Sequence, residues 1–78
     1  MNEPQLRQVI ADVLAGIAPE ADLATVGDTE DLRDALDLDS MDFLNVVVGL
    51  AKQTGRKIPE ADTPKLYTLR GMLAYLAE

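Results

Sequence analysis

The residues whose chemistry stands out first are a serine and the acids around it. Ser40 is the only serine in the chain, and three aspartates lie within three residues of it: Asp37, Asp39 and Asp42. A nucleophilic serine needs a general base within hydrogen-bond reach, usually a histidine. The chain has no histidine, and Lys52 would lie roughly 18 Å away along a helix that rises 1.5 Å per residue. We therefore expect a non-catalytic protein.

The same aspartates do not reproduce a known metal site. An EF-hand calcium loop counted from Asp37 needs an oxygen ligand at its fifth position, glycine at its sixth and glutamate at its twelfth. Those places hold Met41, Asp42 and Val48. Without cysteine there is no thiolate site either. We expect no bound metal. A carboxylate pair working as in a glycosidase is conceivable, but so short a chain leaves little room for a sugar cleft.

Two non-catalytic roles remain open for Ser40. Asp39 or Ser40 suits the N-cap of a helix, because a side-chain oxygen accepts a hydrogen bond from an unpaired backbone N–H. A helix N-terminus also favours a phosphate group, since it presents free N–H groups and the positive end of the helix dipole. Ser40 is therefore a candidate cap and a candidate attachment point for a phosphate ester made by another protein, and the two roles do not exclude each other.

Length and composition favour a single helical domain over residues 1–78. Apolar residues make up 47% of the chain and only three residues are aromatic, so aliphatic side chains must fill the core. The absence of cysteine suits a reducing compartment. No apolar run approaches the roughly 18 residues of a membrane span, and the first residues lack a secretion signal. These features predict a cytoplasmic protein, and we expect it to be a monomer.

Charge is distributed unevenly along the chain. Residues 20–42 contain nine acids and one basic residue, Arg33, within a net charge of −7 for the whole protein. Such an acidic surface disfavours nucleic acid and anionic membranes as partners. It would attract basic protein surfaces toward Ser40.

Apolar spacing predicts a first helix over residues 3–17. The stripe recurs at helical intervals, and Asn2 with Pro4 suits its start. A long irregular loop follows to residue 39, with a turn or two of helix around residues 31–35. Leucines and a valine recur in this loop, which predicts that it lies across the core: Leu23, Val26, Leu32, Leu36 and Leu38.

The second half of the chain predicts three further helices. The second helix spans residues 40–53 and ends before Gly55, and it is apolar around most of its circumference. A short helix over residues 60–66 follows, and a last helix over residues 69–77 begins after Thr68 as N-cap. The predicted fold class is all-α: a small four-helix bundle of three main helices and one short helix, with a long loop between helices one and two.

The central stretch LDLDSMDFLNVVVGLAKQTGRKIPE, residues 36–60, resembles the middle of an acyl carrier protein. The tripeptide Asp39-Ser40-Met41 matches the Asp-Ser-Leu or Asp-Ser-Met that opens the second helix in this family. KIPE at 57–60 stands where carriers often have Ile-Pro, and YTLRGMLAYL at 67–76 resembles the closing helix. The resemblance covers essentially the whole chain in length and element order.

The resemblance implies that Ser40 receives 4′-phosphopantetheine from coenzyme A through a separate phosphopantetheinyl transferase that uses magnesium. The cofactor thiol would then hold an acyl or aminoacyl group as a thioester. Further partners would be an acyl- or aminoacyl-loading ligase and downstream transferases or synthases, for example of fatty acid or polyketide biosynthesis. As a substrate of the transferase, Ser40 needs no base of its own.

The resemblance also implies which residues partner enzymes recognise. Asp39, Met41 and Asp42 match the family pattern, Leu44 fits its exposed apolar contact, and Asp37 belongs to the same acidic surface. Two features depart from the pattern. Asp37 replaces the glycine of Leu-Gly-x-Asp-Ser, and Asn45, Ala51 and Lys52 stand where fatty-acid carriers often have acids. We therefore expect a specialised carrier with its own loading enzyme.

Two alternatives remain open from the residues. One is an unmodified helical adaptor that binds a partner through its apolar second helix. The other is a regulatory domain phosphorylated on Ser40. In carriers the cargo can also lie between the helices, where Val47, Leu50, Leu69 and Leu73 either line a cavity or simply fill the core.

Overall fold

The computed structural model describes residues 2–77, which form a small helical bundle around one hydrophobic core. The elements in chain order are α1 (Glu3–Ile17), a 3₁₀ turn η1 (Leu23–Thr25), α2 (Leu32–Ala35), α3 (Ser40–Thr54), a 3₁₀ helix η2 (Glu60–Leu66) and α4 (Leu69–Leu76). The predicted all-α bundle is confirmed, with the second predicted helix as α3. Among residues 2–77, extended pairing is limited to one isolated bridge, Asp31 with Thr68.

Local sequence explains where the long helices begin and end. Asn2 caps α1 by accepting a hydrogen bond from the Gln5 backbone N–H, and the Gln5 side chain accepts from the Asn2 backbone in return. Thr68 caps α4 by accepting from the Gly71 backbone N–H at 3.0 Å. Gly55 ends α3 in the left-handed conformation, at φ 71°, which glycine adopts without steric cost.

The core is mostly aliphatic and contains side chains from every helix. The central helix α3 packs against α1, and α4 packs against both α1 and η2. The buried side chains are Leu6, Ile10, Leu14, Val26, Leu32, Leu38, Phe43, Val46, Val47, Leu50, Leu66, Leu69, Met72 and Leu76. Burial of this size is the main term that stabilises so small a fold.

The loop between α1 and α3 lies across the core, as its leucines predict. Val26, Leu32 and Leu38 are buried, and Leu23 and Leu36 pack against the core. Backbone hydrogen bonds fasten the loop to the start of α4: the Leu32 N–H donates to the Tyr67 carbonyl at 2.7 Å, and the Arg70 N–H donates to the Asp28 carbonyl at 2.9 Å. The loop thus holds α2 beside the segment that joins η2 to α4.

Gly71 allows α4 and η2 to approach closely. A Cβ atom at this position would collide with the Lys65 backbone carbonyl. The Tyr75 hydroxyl strengthens the same contact by donating a hydrogen bond to Asp62 Oδ2 at 2.7 Å. The pKa of Asp62 lies below its usual value, because hydrogen bonds from Tyr75 and then Lys65 favour the ionised carboxylate.

Candidate functional site

Ser40 is the first residue of α3, and its side chain is exposed. The cap of this helix is Asp39, whose Oδ1 accepts a hydrogen bond from the Asp42 backbone N–H at 2.7 Å. The structure thus resolves the choice of cap in favour of Asp39. Within residues 2–77 the Ser40 hydroxyl has no hydrogen-bond partner. It therefore remains available for chemistry carried out by another protein.

Ser40 lies at the edge of a surface groove of about 380 Å³. The groove runs between α3 and η2, and α2 closes one side of it. Both apolar and polar side chains line it: Arg33, Ser40, Phe43, Leu44, Glu60, Thr63, Pro64 and Tyr67. Its volume falls within the roughly 300–1,000 Å³ that small-molecule sites occupy.

Arg33 is the cationic member of this groove. Its Nε and Nη2 donate to the two carboxylate oxygens of Asp31, at 3.0 and 2.6 Å. Its Cζ lies 3.6 Å from the centre of the Tyr67 ring, which in turn makes an edge contact with Phe43 at 5.2 Å. The hydrogen bond to Asp31 raises the pKa of Arg33 and lowers the pKa of Asp31. The guanidinium is thus held in one orientation.

The three predicted acids lie around the N-terminus of α3, outside the groove. Asp37 is exposed and has a positive φ of 54°, a conformation that glycine adopts without steric cost. Its side chain borders a separate surface groove of about 370 Å³, on the α1 side of the loop. Asp39 is the cap, and Asp42 lies half-buried in the first turn.

An apolar stripe on α3 faces solvent. Met41, Leu44 and Val48 are 65%, 52% and 43% exposed, and they are the exposed large hydrophobic side chains of residues 2–77. Spacings of three and four residues place them on one side of the helix. Lys52 follows one turn after Val48 on the same side and is exposed. Large exposed apolar side chains on one helix face mark a contact surface.

Sequence reasoning identified Met41 and Leu44 but missed Val48 and most of the groove. The interval of four residues after Leu44 would have indicated Val48. No local pattern indicates Arg33 and Tyr67, because they meet only when the loop crosses the start of α4. Of the four residues considered for a cargo cavity, Val47, Leu50 and Leu69 are buried in the core. Leu73 is half-buried and borders a groove between α1 and α4.

No group of three His, Cys, Asp or Glu side chains within residues 2–77 has the geometry to hold a metal ion. Across the same residues, every helix is too short or too polar to cross a membrane.

The fold and the free serine at a helix start define a small carrier-like bundle, and comparison with known proteins agrees. Residues 4–76 match the family described as "Phosphopantetheine attachment site". The chain is 35% identical over 71 residues to polyketide-8 synthase acyl carrier protein 2 of Streptomyces avermitilis. The aligned region covers 91% of this chain and 76% of that protein. It is 29% identical over 77 residues to an acyl carrier protein of Streptomyces coelicolor, covering 99% of this chain and 84% of that protein.

The chain belongs to the phosphopantetheine-attachment family of acyl carrier proteins. It is therefore a non-catalytic carrier that holds acyl intermediates on a covalently attached 4′-phosphopantetheine. Its role implies contact with a phosphopantetheinyl transferase and with synthase partners. The carrier function predicted from the sequence is confirmed, and the unmodified adaptor is not favoured.

Proposed function

We propose that Ser40 is the residue to which the 4′-phosphopantetheine is attached. The single observation that carries this proposal is the free, exposed hydroxyl at the first position of α3, next to a groove. In the transfer, the Ser40 oxygen forms a new bond to phosphorus while the pyrophosphate P–O bond of coenzyme A breaks and the nucleotide portion leaves. The hydroxyl proton goes to a base of the transferase, since the chain has no histidine.

The local structure suits a phosphodiester at this position. The N-terminus of α3 presents backbone N–H groups and the positive end of a 15-residue helix dipole. Because Asp39 already satisfies the Asp42 N–H, a group attached to Ser40 displaces no hydrogen bond of the cap.

Intact mass after incubation with coenzyme A, magnesium and a broad-specificity phosphopantetheinyl transferase tests the attachment site. The parent chain should gain one phosphopantetheine unit, and Ser40→Ala should gain none. Thr63→Ala is the matched control, because it removes the other aliphatic hydroxyl of the groove and should leave modification intact. Modification of Ser40→Ala, or failure of the parent chain with several transferases, would contradict the proposal.

We also propose that partner enzymes dock on the stripe of Met41, Leu44 and Val48, with Asp37, Asp39 and Asp42 contributing negative charge at the Ser40 end. Exposure of the stripe and its position beside Ser40 support this role. Lys52, at the far end of the stripe, sets this surface apart from one that is acidic throughout. Its partners would then carry basic groups near Ser40 and an acid opposite Lys52.

Kinetics of phosphopantetheine transfer test the docking surface. Loss of a central apolar contact costs more than about 1 kcal/mol at an interface hot spot, which corresponds to roughly a fivefold loss in kcat/KM. We expect Leu44→Gln to show such a loss, mostly through KM. Ala15→Gln, at an exposed position of α1, should behave as the parent chain does. Equal rates for both variants would place docking elsewhere.

The cargo and setting are part of the same proposal. We propose a specialised carrier of a polyketide-type pathway, loaded by its own acyl- or aminoacyl-transferring enzyme. Its similarity to a polyketide synthase carrier and the charge pattern of α3 support this. We further propose that residues 1–78 form a single domain that acts as a cytoplasmic monomer. Light scattering on the purified chain tests the monomer, and loading of the holo-chain by enzymes of neighbouring genes tests the cargo.

A further inference from the structure

The groove beside Ser40 combines the chemical features that a phosphopantetheine arm presents. The arm has a phosphodiester at its attached end, then two methyl groups beside a hydroxyl, then two amides and a thiol. Ser40 itself borders the groove, so an arm attached there starts within it. Beyond Ser40 lie the cationic Arg33, an apolar wall of Phe43, Leu44, Pro64 and Tyr67, and the polar Thr63 and Glu60.

Arg33 has hydrogen-bond donors to spare. Asp31 engages Nε and Nη2, while Nη1 makes no hydrogen bond within residues 2–77. An arginine guanidinium carries five N–H donors in a fixed planar fork, which matches phosphate oxygens. The side chain is 42% exposed, so solvent and ligand can reach its free edge.

The orientation of Arg33 is set before any ligand arrives. Asp31 holds one edge of the guanidinium, and the Tyr67 ring lies 3.6 Å beneath it. Tyr67 is fixed in turn by Phe43 and by the hydrogen bond from the Leu32 N–H to its carbonyl. A donor that is already immobilised loses little entropy on binding, which strengthens binding without new contacts.

The negative charge around Ser40 would be offset by a cation near an attached phosphodiester. A phosphodiester adds negative charge beside Asp37, Asp39 and Asp42, which repel it. Arg33 is the one basic residue between positions 20 and 42, and it borders the same groove as Ser40. The full positive charge of Arg33 offsets that repulsion more than the helix dipole does, because the dipole contributes only a partial charge.

From these observations we infer that the groove between α3 and η2 holds the phosphopantetheine arm, with the Arg33 guanidinium as the partner of its phosphodiester and the Phe43–Tyr67 wall against its methyl groups. This inference rests on the proposal that Ser40 carries the arm. Arg33 is a positioning residue: it holds the arm along the groove and takes no part in thioester chemistry.

Proton NMR of the holo-chain tests the inference directly. The parent holo-chain should show nuclear Overhauser contacts from the two arm methyl groups to the Tyr67 and Phe43 ring protons. The aromatic rings should also shift both methyl resonances upfield of their positions in coenzyme A. Arg33→Gln, which keeps a planar polar side chain but removes the charge, should lose the contacts and the shift. Arg33→Lys should keep part of both.

Two further variants separate arm positioning from a purely structural role of Arg33. Arg70→Gln removes an exposed arginine outside the groove and should leave the methyl contacts unchanged. Thr63→Trp fills the groove while leaving Arg33 in the sequence, and it should displace the arm even if Arg33→Gln fails to fold. Circular dichroism of each variant identifies those that fold.

The outcomes distinguish this inference from the proposed function. If intact mass shows no arm on the parent chain, the attachment proposal fails, and this inference fails with it. If mass shows the arm but the methyl groups make no aromatic contacts, this inference alone is overturned. It is also overturned if folded Arg33→Gln keeps the parental contacts, because Arg33 then only fastens α2 to Tyr67.

Discussion

Asp37 allows a quantitative test of how the segment before α3 is built. Its φ of 54° lies in the left-handed region, which costs an L-residue about 1–2 kcal/mol, with aspartate near the lower end. Glycine removes that cost but loses about 0.5–1 kcal/mol of extra freedom on folding. The Asp37 side chain is exposed and makes no hydrogen bond within residues 2–77, so its loss removes no contact.

We therefore expect Asp37→Gly to stabilise the fold by about 0.5 kcal/mol, which corresponds to a rise of roughly 2–4 °C in Tm for a domain of this size. Thermal and urea unfolding followed by circular dichroism measure the change. Asp37→Asn is the control, because it removes the charge but keeps the Cβ atom. Asp37→Ala should be less stable than the parent, since alanine pays the left-handed cost without a polar side chain to offset it.

The order of the variants in stability shows whether backbone strain at Asp37 is the cause. Relief of backbone strain predicts that Asp37→Gly exceeds Asp37→Asn in stability. If the two are equally stable, reduced repulsion among the acids accounts for the gain. If Asp37→Gly is less stable than the parent chain, the strain argument is wrong.

Three further substitutions test other parts of the fold by thermal unfolding. Asp39→Ala removes the cap of α3 and should cost about 1 kcal/mol, whereas Asp39→Asn should keep most of that stability; equal losses would contradict the cap. Tyr75→Phe removes the hydrogen bond to Asp62 and should lower Tm at neutral pH. Since the folded pKa of Asp62 is depressed, that stabilisation is present above its unfolded pKa, and the gap between variant and parent should narrow as pH falls below about 4; a constant gap would contradict this. Gly71→Ala should destabilise by about 1–3 kcal/mol, because a Cβ meets a backbone carbonyl of η2; Gly16→Ala, with open space around it, should not.

Most of the helical framework follows from local sequence. The first helix was predicted at residues 3–17 and the short helix at 60–66, and both match the structure. The central helix extends one residue further than predicted, to Thr54, and the last ends at Leu76, one residue earlier. Periodic apolar stripes, a glycine stop and good capping residues indicate these elements from local sequence alone, although packing against the core supplies most of their stability.

The features that local sequence does not predict depend on contacts between distant parts of the chain. The 3₁₀ turn at Leu23–Thr25 is a single turn, too short to show a periodic pattern, so the sequence does not predict it. The pairing of Asp31 with Thr68 joins segments 37 positions apart, and it brings Arg33 onto Tyr67. Ser40 could be identified from its neighbours in sequence, but the groove beside it could not.

The cap of α3 and the proposed attachment site are two different residues, Asp39 and Ser40. Because the residue before Ser40 starts the helix, the helix start does not depend on whether the hydroxyl is free or esterified. A group attached to Ser40 would therefore leave the cap hydrogen bond of α3 in place. If Ser40 carries the arm as proposed, we expect the arm to be attached, removed and attached again without refolding of α3, because both forms begin this helix at Asp39.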